Sequence, residues 1–160
     1  YMFIELEKGN TKKENYEILV SNLEYFLVKE DTFITSLSNL SAYLNYFLDE
    51  INWVGFYLFD GEKLYLGPFQ GLPACTEIKI GVGVCGNSAK DRKTYLVKDV
   101  HAFEGHIACD GATNSEIVVP IIKDDILIGV LDIDSPIHGR FDETDQLYLE
   151  KVINKLVDIL

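Results

Sequence analysis

The chain has 160 residues, 48% of them hydrophobic, which predicts a single domain over 1–160 with a buried core. Its formal charge of −12 comes from 26 acidic against 14 basic side chains and argues against nucleic acid and anionic membranes as partners, since polyanion surfaces need clustered Lys and Arg. No apolar run reaches membrane-spanning length and no basic stretch leads into an apolar one, so neither a membrane segment nor a signal peptide is expected, and the expected location is the cytoplasm. Tyr1 ahead of Met2 reads as an added residue.

From Lys12 to Lys29 the positions Tyr16, Leu19, Val20, Leu23, Phe26 and Leu27 recur at three- and four-residue steps, predicting an amphipathic helix. Phe33, Ile34, Leu37, Leu40, Leu44, Phe47 and Leu48 predict a second, with Asp31 or Thr32 as N-cap. Asn52 to Asp60 then reads as a strand, and Asp60-Gly61 as a turn into an antiparallel return over Lys63 to Gln70. The glycine-rich segment after it predicts a short strand at Ile78 to Ile80 and a short helix near Val84 to Lys90, followed by a strand at Tyr95 to Lys98. Asp99 to Ser115 has no sustained period and predicts a long irregular loop carrying His101, His106 and Cys109. Glu116 to Ile122 and Ile126 to Asp134 predict a hairpin around Lys123-Asp124-Asp125. Asp142 is the expected cap of a last helix with the stripe Leu147, Leu149, Val152, Ile153, Leu156 and Val157. This order predicts an α+β domain with a central, mainly antiparallel sheet flanked by helices. The terminal helices can pack together on one sheet face, and an apolar surface there would serve a homodimer.

Three cysteines, Cys75, Cys85 and Cys109, do not suit a structural disulfide framework. They are widely spaced and lack the close Cys or His pairs of a zinc site, so no metal and no other cofactor is expected. Cys109 lies in GHIACDG, in the long loop where a substrate can reach a thiol, with His106 three residues earlier. Cys85 lies in GVGVCGNS, where glycines would let a cysteine swing, and Cys75 follows GLPA. A thiol oxidised to a sulfenic acid needs a second thiol to condense with it, and either cysteine is a candidate for that part.

Asp132 and Asp134 alternate in LDID and therefore share a strand face, and Glu116 opens the adjacent hairpin strand. Three converging carboxylates repel one another until a cation enters, and the ammonium of an amino acid is a suitable one. Trp53 and Tyr57 share a face of the first strand, where Trp53 can pack against an S-methyl group.

The phrases LGPFQGLPAC, GVGVCG, HAFEGHIACD, NSEIVVPI and GVLDIDSP, in this order, resemble free methionine-(R)-sulfoxide reductase, a GAF-domain family, from about Asn52 to Phe141. Glu104 stands where such phrases commonly carry proline. The resemblance implies a GAF fold and thiol-dependent reduction of free methionine-(R)-sulfoxide, with a thioredoxin-like dithiol as the external reductant. It implies that Cys109 attacks the substrate, that Cys85 is the usual resolving cysteine and that Cys75 joins disulfide exchange. It also implies a pocket lined by Glu116, Asp132 and Asp134 with Trp53 as an aromatic wall. A GAF module that only senses a small ligand, or one that only responds to redox change, is the alternative, because fold does not separate them. The acids weigh against a phosphate ligand, which prefers basic groups or N–H donors.

Overall fold

The computed structural model describes residues 5–107 and 109–160; Tyr1 and Met2 lie outside them. Four helices, α1 (Lys12–Ser21), α2 (Phe33–Phe47), α3 (Gly83–Asp91) and α4 (Glu143–Asp158), accompany six strands. The strands are β1 (Trp53–Phe59), β2 (Lys63–Gly71), β3 (Glu77–Lys79), β4 (Tyr95–Val97), β5 (Ser115–Lys123) and β6 (Ile126–Ser135). They form one sheet in the order β3-β2-β1-β6-β5-β4, and every neighbouring pair is antiparallel. The α+β reading therefore holds.

The turn chemistry explains the two hairpins. At the β1–β2 turn the Asp60 carboxylate accepts from the backbone N–H groups of Glu62 and Lys63, both at 2.9 Å, while Gly61 takes φ 101°. At the β5–β6 turn Asp124 and Asp125 both have positive φ, 51° and 63°, as a two-residue hairpin matched to strand twist requires.

Alternation divides the sheet into two faces. Val54, Phe56, Ile117, Val119, Ile121, Leu131 and Ile133 face one core with α1, α2 and α4. Trp53, Tyr57, Val118 and Val130 face the other way, toward α3. The three large helices thus close one side, leaving the opposite face to one short helix and loops.

Three expectations change in detail. Helix α1 stops at Ser21, because the Asn22 side chain donates to the Ile18 carbonyl at 2.8 Å and the backbone leaves the helix there. A 3₁₀ turn at Leu23–Tyr25 then carries Leu23, Phe26 and Leu27 into the core. Ile34 is 64% exposed, since the α2 stripe turns Leu37, Leu40, Leu44 and Phe47 inward instead. Leu147 is 53% exposed and Tyr148 takes its place, its ring stacked on Tyr16 with centroids 5.1 Å apart.

Asp145 ties α1, α4 and the chain before α4 together. It is fully buried, accepts from the Tyr16 hydroxyl at 2.6 Å and from Lys12 Nζ at 2.7 Å, and lies 3.4 Å from Arg140. It also completes the capping box with Asp142 that starts α4. Asp145→Ala leaves a buried hydroxyl without its acceptor, strips one partner each from Lys12 and Arg140 and removes the capping box, so denaturant unfolding should show a loss of about 3 kcal/mol or more. A loss below about 1 kcal/mol would contradict this account of the α1–α4 junction.

Candidate active site

The strand register assembles the acids. Across β1 and β6, Trp53 faces Asp134 and Gly55 faces Asp132; across β5 and β6, Glu116 faces Asp134. Trp53, Asp134 and Glu116 therefore form one row over three strands, with Asp132 one step along the same face. Helix α3 lies above this row and brings Cys85, 4% exposed, with its Sγ 3.9 Å from Glu116 Oε2.

The glycines around Cys85 set this position instead of loosening it. A Cβ on Gly86 would strike the Lys79 carbonyl, so only glycine lets α3 sit this close to β3. Gly81 and Gly83 take φ 84° and 66°, and the Gly81 N–H donates to the Gly86 carbonyl at 2.8 Å. The swinging Cys85 expected from the glycine content is replaced by a buried, fixed thiol.

Two loops roof the pocket, and the floor anchors both. Trp53 Nε1 donates to the Leu72 carbonyl at 3.1 Å and the Tyr57 hydroxyl donates to the Cys75 carbonyl at 2.8 Å. On the other side Asn52 Nδ2 donates to Asp110 Oδ2 and to Thr113 Oγ1, both at 3.0 Å. A disulfide joins the loops: Cys75 is bonded to Cys109, with Cα atoms 5.6 Å apart, and Cys85 is the free cysteine. Cys109 is thus paired with Cys75, where the resemblance implied Cys85 as the usual partner. The two loop cysteines meet across the roof, whereas Cys85 is held beneath it by α3. The partly open cavity beneath the loops has a volume of about 40 Å³, room for a few waters.

Electrostatically the pocket is one-sided. Glu116 and Asp132 are 6% and 5% exposed, and Asp132 Oδ1 and Asp134 Oδ1 are buried with no hydrogen-bond partner. Burial raises the pKa of all three acids, and mutual repulsion adds to it for Glu116 and Asp134. Burial, and then the negative charges of Asp132, Glu116 and Asp134, push the Cys85 thiol up as well. The Tyr57 hydroxyl is likewise raised, by burial first and Asp132 second. His106 lines the same cavity, and its pKa is lowered by burial and by His101, which disfavours the imidazolium form. It is a poor source of the cation that a reactive thiol at Cys109 would use.

Cys85, Cys109, Trp53, Tyr57, Glu116, Asp132, Asp134 and His106 line this cavity, Cys75 reaches it through the disulfide to Cys109, and His101 does not line it. Sequence reading missed Asn52, Asp110 and Thr113, which pin the Cys109 loop, and Ile107, which closes against Gly83. Ile107 and Asp110 lie inside the matched phrase HAFEGHIACD, whereas Asn52 and Thr113 lie outside every phrase, and no periodicity marks any of the four.

Fold and site together are those of a small-ligand-binding domain of the GAF type, and the GAF domain profile matches residues 30–157. Free methionine-R-sulfoxide reductase of Escherichia coli (strain K12) is 44% identical over 149 residues, covering 93% of this chain and 90% of that protein. The reduced form of fRMsr of Staphylococcus aureus superimposes with a TM-score of 0.90 at 51% identity, covering 97% of this chain and 99% of that one. Free methionine-R-sulfoxide reductase from Neisseria meningitidis, in complex with its substrate, gives a TM-score of 0.94 at 39% identity, covering 99% and 95%. The chain belongs to the free methionine-R-sulfoxide reductase family of GAF-domain proteins.

A carboxyl whose pKa is higher folded than unfolded binds its proton more tightly in the folded state, so its contribution to stability is present at low pH and is lost as pH rises. For Glu116 the loss begins near the unfolded value of about 4.3. Glu116→Gln should therefore raise the melting temperature of the ligand-free protein at neutral pH by a few degrees, on the order of 1 kcal/mol, and the gain should shrink toward pH 4. Thermal melts of both proteins across this range check it; a gain that is constant with pH would contradict the assignment.

Proposed function

We propose that this protein reduces free L-methionine-(R)-sulfoxide to methionine, with Cys109 as the attacking thiol and Cys75 as its disulfide partner. The observation that carries the reading is the Cys75–Cys109 disulfide lying over a pocket floored by the buried acids Glu116 and Asp132 and by Asp134, with one oxygen each of Asp132 and Asp134 unpartnered. A thiol pair alone would suit many redox proteins. Acids with no cation of their own select a ligand that brings one, and a free amino acid does so through its ammonium. Acylation in a peptide removes that charge, so a protein-bound sulfoxide lacks the group the floor requires. Trp53, in ring contact with Tyr57 and Phe69, lines the cavity and supplies aromatic surface for the S-methyl end.

The cycle follows from this placement. The Cys109 thiolate attacks the sulfoxide sulfur, and one of Glu116 and Asp132, whose hold on a proton burial strengthens, supplies a proton to the departing oxygen. Oxygen passes to Cys109 as a sulfenic acid and methionine leaves two electrons reduced. The Cys75 thiol attacks that sulfur, forming the disulfide and releasing water. A thioredoxin-type dithiol then returns two electrons and two protons. The acids oppose thiolate formation at Cys109 by charge repulsion, and the substrate ammonium offsets them, so binding and activation of the nucleophile are one event.

The assay supplies free methionine-(R)-sulfoxide, the S epimer and a peptide-bound sulfoxide with dithiothreitol or a thioredoxin system, and measures the methionine formed. Turnover of the free R epimer alone is expected, and Cys109→Ser should abolish it. With a thioredoxin system as the only reductant, Cys75→Ser should release about one methionine per chain and then stall as the sulfenic acid. Wild-type activity in Cys109→Ser, or no turnover by the native chain, would overturn the assignment.

A further inference from the structure

We propose that Cys85, Glu116 and Asp132 form a binding site for a thiophilic divalent cation of the zinc class. One ligand atom from each of the three side chains lies within 4.8 Å of the others, and all three are buried. An independent observation points to a ligand: Asp132 Oδ1 and Asp134 Oδ1 face the same cavity with no hydrogen-bond partner. Among the described residues no ion pair involves Glu116, Asp132 or Asp134. The donors come from α3, β5 and β6, so no close pair in the sequence could announce them.

The donor set chooses the ion. Thiolate sulfur favours zinc-class metals over magnesium or calcium, and one of the two carboxylates suffices to neutralise the charge that sulfur leaves uncompensated. Zinc takes sulfur at about 2.3 Å and carboxylate oxygen at about 2.0–2.2 Å, which puts tetrahedral donors about 3.5 Å apart. Side-chain rotations of about an ångström suffice to close the cluster onto an ion, and Asp134 or a water completes four ligands. Binding displaces the Cys85 thiol proton to solvent, so the thiolate forms as the metal arrives. Cys85 stays outside the Cys75–Cys109 disulfide, so the site exists in the oxidised protein. On the reading of the pocket proposed above, a bound cation occupies the acids that the substrate ammonium needs, and zinc is then an inhibitor competitive with the sulfoxide.

Cobalt(II) is the probe, added to the full chain with its disulfide intact, so that Cys85 is the sole thiol. A thiolate-to-cobalt charge-transfer band is expected to saturate at one equivalent, to be reversed by zinc and to be unaffected by magnesium. Cys85→Ser should lose the band. Should that variant fail to fold, Glu116→Gln carries the test, with cobalt affinity expected to fall at least about tenfold. No band in the wild-type chain, a band that persists in Cys85→Ser, or unchanged affinity in Glu116→Gln would overturn the proposal. The band is read without turnover: cobalt binding with no methionine formed would sink the reductase assignment alone, and turnover with no band would sink the metal site alone.

Discussion

Two buried carboxyl groups and a third beside them, with no ion pair among the described residues, are the constraint around which this structure is arranged. Glu116, Asp132 and Asp134 lie on neighbouring strands in fixed register, so they cannot separate without breaking the sheet. Such an arrangement costs stability in the empty protein and is tolerable because α1, α2 and α4 bury the opposite face so completely. The penalty is repaid by whatever cation enters. On the proposed function, ligand binding and electrostatic relief are the same process, and charge is the first property by which the pocket selects.

The roof is built to a different rule. The loops carrying Cys75 and Cys109 have little core of their own and are held by hydrogen bonds that rise from the floor, from Trp53, Tyr57 and Asn52. Trp53 and Tyr57 consequently have two duties, as an apolar wall and as anchors of the chain that carries a cysteine. Bonding Cys75 to Cys109 fastens one loop to the other above the acids, while Cys85 remains below with a thiol that burial and three acids keep protonated. Position relative to the roof, more than any difference between the thiols themselves, separates the cysteines.

Much of this was legible in the sequence because it rests on local rules. Aromatic and β-branched runs marked β1, β5 and β6, the Asp60-Gly61 and Lys123-Asp124-Asp125 turns marked the hairpins, and LDID put two acids on one face. What was not legible depends on how separate elements meet. Nothing in GVGVCGNS distinguishes glycines that permit swinging from glycines that permit close approach; that is decided by the Lys79 carbonyl against Gly86. The pairing of Cys109 with Cys75 instead of Cys85 depends on the first two lying on the roof loops while Cys85 is held within α3 beneath them. Leu147 and Tyr148 compete for one helix face, and the partner ring of Tyr16 on another helix settles it. The pinning residues Asn52 and Thr113 have no periodic signature, since their partners are 61 positions apart.

The central claim is that the acids recognise the positive charge of a free amino acid, and binding measured without chemistry addresses it most directly. Isothermal titration of the Cys109→Ser variant with free methionine-(R)-sulfoxide and with its N-acetyl derivative isolates that charge. The account predicts that acetylation weakens binding by about a hundredfold or more, because it leaves buried carboxylates unpaired. Equal affinity for the two compounds would contradict it.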